Sequence, residues 1–495
     1  MMRFFTAQGE YANDLAEVLR IFLDREDVQE CPSFEEPRPG EMGFCASLSR
    51  EGGEIVAEAI LRTHPETGPA EDRTVYRCPI PRGGALEQKR YEKRALKIAA
   101  FRLMKAHFLA YTPWGSLTGI RPTRLYRELC DALGPNEADR MMLGEFDVSP
   151  DKLDLAKTIV AVQRGIVDSV QPEDVGVYIG IPFCASRCLY CSFGGKVRGK
   201  QAEVDAYLEA LKKDIALGAD IVKRNGYRVR SLYVGGGTPT TLTAQEMADL
   251  LRFALEAYGG FGFEFTVEAG RPDTIDKEKL SVLQSFGVTR ISINPQTMNR
   301  STLERIGRKH TERDIEAAFS LARDLGFGWI NMDLIAGLPG EGPEDMERTL
   351  EAVRALAPEN LTVHTLAMKR SSRLAERIRE YPLPDAETAD AMVRMAMRTA
   401  FEMNMRPYYM YRQKYMRGNL ENVGYALPGK ECVYNVDMME ELTNIMAHGA
   451  GAMTKRIFGG EHRVERVPNP KDLPSYCGKI ELLSEHKRRL FEAGH

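Results

Sequence analysis

From residue 175 onward, short runs rich in β-branched residues alternate with helix-like stretches, six times in series. The strand candidates cover 175–183, 231–235, 263–269, 290–294, 329–335 and 361–366. Helix-like segments lie between them, among them 202–224, 244–258, 312–325 and 343–356. Strands separated by helices cannot pair as hairpins, so they line up in parallel through right-handed crossovers. The expected fold class is therefore α/β, and in such folds ligands gather at the carboxyl ends of the strands.

The first of these strands leads into YIGIPFCASRCLYCSF, residues 178–193, where Cys184, Cys188 and Cys191 stand at C-x3-C-x2-C spacing. Three thiolates on one short loop suit three irons of a [4Fe–4S] cluster, one ligand short of the usual four. The open iron is then free to chelate a small ligand. A zinc site would want a fourth Cys or His nearby, and the candidates lie far away in sequence. Three free thiols at this spacing by chance are the other alternative. The loop, with its flanking Pro182, Phe183 and Tyr190, resembles the signature of the radical S-adenosylmethionine (radical SAM) superfamily. That resemblance implies a partial, open (β/α)6 barrel, a [4Fe–4S] cluster and S-adenosylmethionine (SAM) as cofactors.

Further motifs fall at the other strand ends. Gly235-Gly236-Gly237-Thr238-Pro239-Thr240 follows the second strand, and glycines let backbone amides approach a ligand closely; a plain turn is the alternative. Glu268 closes the third strand, able to accept hydrogen bonds from an ammonium or ribose, or to form an ordinary salt bridge. Gln296 follows the fourth strand, with Arg308 and His310 beyond it; Asp333 lies on the fifth, and the sixth ends at His364-Thr365-Leu366-Ala367.

Together these motifs, over roughly 175–455, resemble the oxygen-independent coproporphyrinogen III dehydrogenases. The resemblance implies that Tyr178 and Glu268 contact the SAM bound to the cluster, with Gly236 beside it. It further implies that Tyr190, Gly237, Thr238, Gln296, Arg308, Asp333 and Ala367 hold a second SAM; Tyr190 stands where Phe is more usual. WGSLTGIRPT and VHTLAMKRSSRL resemble the branch called HemZ, which extends the likeness to most of the chain. The implied reaction converts coproporphyrinogen III to protoporphyrinogen IX in haem biosynthesis. SAM is cleaved to methionine and a 5′-deoxyadenosyl radical, which takes hydrogen from a propionate β-carbon; loss of carbon dioxide and one electron leaves a vinyl group. A small electron-transfer protein such as flavodoxin or ferredoxin is the implied partner. The rival readings are a haem-binding chaperone and a radical methyltransferase or ring-opening enzyme acting on another tetrapyrrole.

The remaining regions are less specific. The expected division is 1–172 as an accessory α+β domain, 173–380 as the partial barrel, and 381–495 as a mixed region over the active site. In the first, 13–22 and 88–111 read as helices, and 42–49 with 54–63 as a hairpin around Gly52-Gly53. A helix followed by a linker is expected over 151–172. Trp114 and Arg121 fit a packed domain junction better than a ligand contact. A helix is expected over 386–403, and then a Tyr- and Arg-rich run that suits either a flat polycarboxylate tetrapyrrole or ordinary packing. Gly449-Ala450-Gly451-Ala452 reads as a small-residue turn that relatives use to close the active site, and the tail from Arg456 as charged and solvated. The formal charge of -4 argues against bulk nucleic-acid or anionic-membrane binding, while a local basic patch stays open. No apolar stretch is long enough to span a bilayer and no leader is evident, so a cytoplasmic protein with free thiols is expected.

Overall fold

The computed structural model describes all residues except 35, 65–69, 120, 193–194, 261, 370, 414–418, 460–462 and 493–495. Phe193 of the cysteine stretch, Ile120, Arg370 and part of the Tyr-rich run therefore lie outside the described residues. The chain divides into two compact units, Met1–Ala156 with Gly418–Leu420, and Lys157–Arg417 with Glu421–His495.

The first unit is α+β. Its 5-stranded sheet carries Met2–Thr6 between Val28–Glu30 and Met42–Glu51, then Glu54–Thr63 and Ala70–Pro79. Gly52 and Gly53 both take positive φ, +58° and +88°, which a two-residue hairpin turn demands of its central positions. The helices Ala12–Phe22 and Ala85–His107 bury Leu15, Leu19, Ala99 and Phe101 in a shared core with Phe4, Phe44 and Leu61. The second helix ends at His107, short of the expected 111. Phe108 turns extended there and places its ring 6.4 Å from that of Phe22, so an apolar contact overrides the helical pattern. Trp114 is fully buried.

The second unit is built on an 11-stranded sheet. Six parallel strands follow in chain order: Asp174–Ile181, Arg228–Gly236, Glu264–Gly270, Arg290–Ile293, Ile330–Ala336 and Asn360–Thr365. Almost every residue of the first strand is buried, as befits a strand covered on both faces. The sheet remains open, as a partial barrel. Beyond the sixth strand, Asn422–Ala426 and Arg406–Tyr411 extend it in antiparallel fashion. On the other side, Asn444–His448 pairs in parallel with Asp174–Ile181, followed by Met453–Phe458 and Arg463–Pro468. Residues beyond 381 thus contribute strands to both flanks of the barrel sheet.

Local chemistry fixes the helices between strands. Thr243 and Glu246 form a capping box at the start of Ala244–Tyr258, and Gly259 closes it with φ +85°. Thr311 and Asp314 cap Glu312–Asp324 in the same way. The tail from Arg456 corrects the expectation of a solvated segment. Arg456 is buried and donates to the carbonyl of Leu490, at 2.7 Å. The helix Ile480–Glu492 buries Leu483, Lys487, Leu490 and Phe491. Among the described residues no helix is long and apolar enough to cross a membrane.

Candidate functional site

A cavity of about 540 Å³ opens at the carboxyl ends of the parallel strands. Every residue that the resemblance assigns to the cluster or to SAM lines it: Cys184, Cys188 and Cys191; Tyr178, Tyr190, Gly236, Gly237, Thr238 and Glu268; and Gln296, Arg308, Asp333 and Ala367. His310 is not among them. It is buried 3.7 Å from Asp273, which also takes two hydrogen bonds from Arg271.

The glycine run is dictated by close approach. A Cβ on Gly237 would stand 2.5 Å from the carbonyl oxygen of Phe183 and 2.9 Å from Cys184 Sγ. One on Gly235 would stand 2.9 Å from the Glu268 carboxyl. The backbone can therefore pass between the cysteine loop and Glu268 only without side chains. Gly237 and Thr238 donate their amides to Ile181 and Phe183, 2.7 Å each, which fixes the cysteine loop on the second strand.

Glu268 accepts from Tyr233 Oη at 2.7 Å and from the Gly236 amide at 3.3 Å. Burial outweighs these bonds and pushes its carboxyl up to about 7. The rings of Tyr178, Tyr233 and Tyr434 stack beside it, with the last two centroids 4.6 Å apart. On the far strands, Gln296 sits at φ +69°, rare for a residue with a side chain. Its amide donates to Asp333 O and its carbonyl accepts from Ile335, both at 2.9 Å, so the sheet holds the strained geometry. Arg308 donates to Asn294 O at 2.5 Å and to Tyr190 Oη at 3.3 Å. Asn331 Nδ2 donates to Asp333 Oδ1 at 2.7 Å, and His364 lies 3.8 Å from the same carboxylate.

Several buried polar atoms here have no partner among the described residues: Ser292 Oγ, Asn294 Oδ1, Gln296 Oε1 and Arg308 Nε. Buried polar groups are nearly always satisfied, so such a group of orphans at one cavity marks a place prepared for a polar ligand.

Residues 178–353 match the family model described as the radical SAM superfamily. The oxygen-independent coproporphyrinogen-III oxidase-like protein HemZ of Bacillus subtilis is 38% identical over 406 residues, 81% of this chain and 81% of its own. The chain belongs to the radical SAM superfamily, in its HemZ-like branch. The heme chaperone HemW of Bacillus subtilis is 31% identical over 297 residues, 59% of this chain and 73% of its own. Among solved structures, the radical SAM coproporphyrinogen III oxidase HemN of Escherichia coli is similar with a TM-score of 0.51 and 25% identity, covering 66% of this chain and 73% of that one.

Radical SAM proteins carry a [4Fe–4S] cluster and SAM, and the residues present fit both. Among the described residues no three His, Cys, Asp or Glu side chains converge on one ion. A cubane cluster instead takes one thiolate per iron. The flank of Cys184 is lined by Gly195 and Gly237, where a Cβ would stand 3.2 and 2.9 Å from the sulfur. The orphaned atoms suit a ligand as rich in polar groups as SAM.

Three kinds of cavity residue escape sequence reasoning. Arg271, inside the quoted Gly270-Arg271-Pro272, donates to Ser186 Oγ at 2.7 Å and approaches Cys188 Sγ at 3.9 Å. Tyr233 is visible only as a strand residue two positions before Gly235. Arg187 and Lys369 line the cavity and have no carboxylate partner among the described residues, a property that no linear motif carries.

Proposed function

We propose that this chain oxidatively decarboxylates the propionates of coproporphyrinogen III to vinyl groups, giving protoporphyrinogen IX. Cys184, Cys188 and Cys191 would hold the cluster, and Tyr178, Gly236 and Glu268 the SAM at its open iron. Bound together, cluster and SAM supply abstraction of a hydrogen atom from an unactivated carbon. The chain's own residues bind, orient and exclude water.

The observation that carries this reading is the orphaned polar set on Ser292, Asn294, Gln296 and Arg308, in the cavity that Arg187 and Lys369 also line. Arg308 with Tyr190, Gly237, Thr238, Gln296, Asp333 and Ala367 supplies donors and acceptors for a second SAM. Arg187 and Lys369 are cations without carboxylates beside them among the described residues, and burial pushes the Lys369 ammonium down from its usual value. A substrate propionate would restore its charge partner. Tyr409, Tyr411 and Tyr434 offer aromatic faces to a tetrapyrrole.

The test is anaerobic reconstitution followed by incubation with SAM, an electron donor and coproporphyrinogen III. Loss of two carboxyl groups in the product mass, with stoichiometric methionine and 5′-deoxyadenosine, is expected. A gain of methyl would favour a methyltransferase. The likeness to HemW supports a second reading, a haem chaperone. Saturable haem binding, with no substrate-dependent release of methionine, would move the assignment there.

A further inference from the structure

The first unit holds a cavity of about 360 Å³ between the helix Ala85–His107 and the WGSLTG loop. Lys89, Arg90, Lys93, Arg94 and Lys97 all line it from one helix. Their spacing stacks them on a single face, where like charges four residues apart repel. Most are compensated. Lys89 pairs with Glu10, Arg90 with Glu128 at 2.8 Å, and Lys93 and Lys97 with Asp14 at 3.1 and 3.0 Å; Lys97 also lies 3.5 Å from Glu17.

Arg94 is the exception. It is half-buried, with its guanidinium 5.2 Å from the ring centroids of both Tyr91 and Phe146, and it has no hydrogen bond or ion pair among the described residues. Cation–π contact with two rings offsets only part of the cost of holding this partly desolvated charge without an anion beside it. Burial accordingly pushes its pKa down. The adjoining loop contributes a donor. Thr118 Oγ1 accepts from Lys97 at 2.7 Å, which leaves its own proton free to donate. Leu86, Ile98, Leu117 and Phe146 make the remaining wall apolar.

We infer that this cavity binds an amphipathic anion: a flat apolar body against Leu117 and Phe146, with its carboxylate or phosphate on Arg94 and Thr118. The volume suits a nucleoside monophosphate or the acid-bearing edge of a tetrapyrrole, two sources of the same chemistry. The WGSLTG stretch then serves as a binding loop, beyond the buried packing of its Trp114.

Hydrogen exchange on the full-length chain tests this, because it reads the site locally. Guanosine monophosphate and coproporphyrin III are added separately. Saturable protection of residues 86–98 and 116–119 by at least one is expected, and which one protects identifies the source. Arg94→Met, which keeps the aromatic flanks, weakens that binding at least about tenfold, the scale of one charge-assisted contact. Leu117→Trp fills the cavity without removing a charge and abolishes the protection. Both variants are compared with the parent by thermal unfolding, so misfolding is recognised. Absence of protection with both probes, or protection undiminished in a folded Leu117→Trp, overturns the inference.

Discussion

Cys432 carries the same thiol as Cys184, Cys188 and Cys191, the proposed cluster ligands, in a setting that disfavours ligation. It is buried, donates to Glu264 Oε1 at 3.3 Å, and burial pushes its thiol up to about 12. A thiol held protonated is a poor ligand. Replacing Cys184, Cys188 or Cys191 by Ala is expected to remove most of the iron and all SAM cleavage, whereas Cys432→Ala leaves iron content unchanged, as read by iron analysis after anaerobic purification. Arg308 allows a sharper test. Arg308→Ala is expected to lower SAM stoichiometry from two to one in equilibrium binding while sparing the cluster; one site in the parent protein would remove the second SAM from the proposal. Glu268 predicts a pH effect. Its carboxyl is raised to about 7 in the fold, so the native state holds the proton more tightly than the unfolded chain does. Stability of the cofactor-free protein should therefore fall as pH rises from the ordinary carboxylate range through about 7, by up to about 1.4 kcal/mol per pH unit. Asp437, also pushed up to about 7, titrates in the same window. The readout is consequently the difference between the parent and Glu268→Gln melting curves, which should widen towards alkaline pH; parallel curves would count against the buried carboxylic acid.

At the scale of elements, the helix Ile480–Glu492 is fastened by a buried ion pair. Lys487 Nζ lies 2.6 Å from Asp214 Oδ1 and donates to Ala447 O at 2.7 Å, with both side chains almost fully shielded. Asp214 also accepts from Tyr476 Oη at 2.9 Å and lies 3.3 Å from His448. The same network reaches the barrel: Tyr207 Oη donates to Gly180 O at 2.6 Å, and the Gly449 amide donates to Tyr476 Oη at 3.1 Å. Lys487→Met strands the Asp214 charge and is expected to cost about 3–5 kcal/mol in urea unfolding. A loss below about 1 kcal/mol would mean that Asp214 is neutralised by other means. This network explains why the tail misleads as sequence. Lys487 and Arg456 read as solvated charges because their partners lie on other elements. The Gly449-Ala450 turn, by contrast, is legible as a turn from its composition, but its anchoring on Tyr207 and Asp214 is not.

For the whole molecule, the parallel core is written plainly in the sequence. Each of its strands combines a short β-branched run with a helical interval, and burial on both faces makes that run apolar. That the candidate residues gather at one cavity was legible for the same reason, since strand ends meet on one side of this fold and each motif follows a strand. Asn444–His448 was not legible as a strand. Its five residues carry no period, and it is recruited by the exposed edge of Asp174–Ile181 rather than by its own propensity. The cations Arg187 and Lys369 likewise become informative only when the absence of a carboxylate beside them can be seen.

The strand that carries the cysteine loop owes one of its two neighbours to the far end of the chain. During synthesis it emerges and can pair with Arg228–Gly236 at once, but its other edge stays bare until Asn444–His448 leaves the ribosome. While residues 237–443 are being made, the nascent protein therefore presents an apolar, pairing-competent edge beside the three thiols of the loop. A chain stopped at residue 440 is expected to accumulate in the pellet and to take up little iron, while supplying 441–495 as a separate polypeptide partly restores solubility. If the stopped chain stays soluble and assembles its cluster, closure of that edge is not what completes folding.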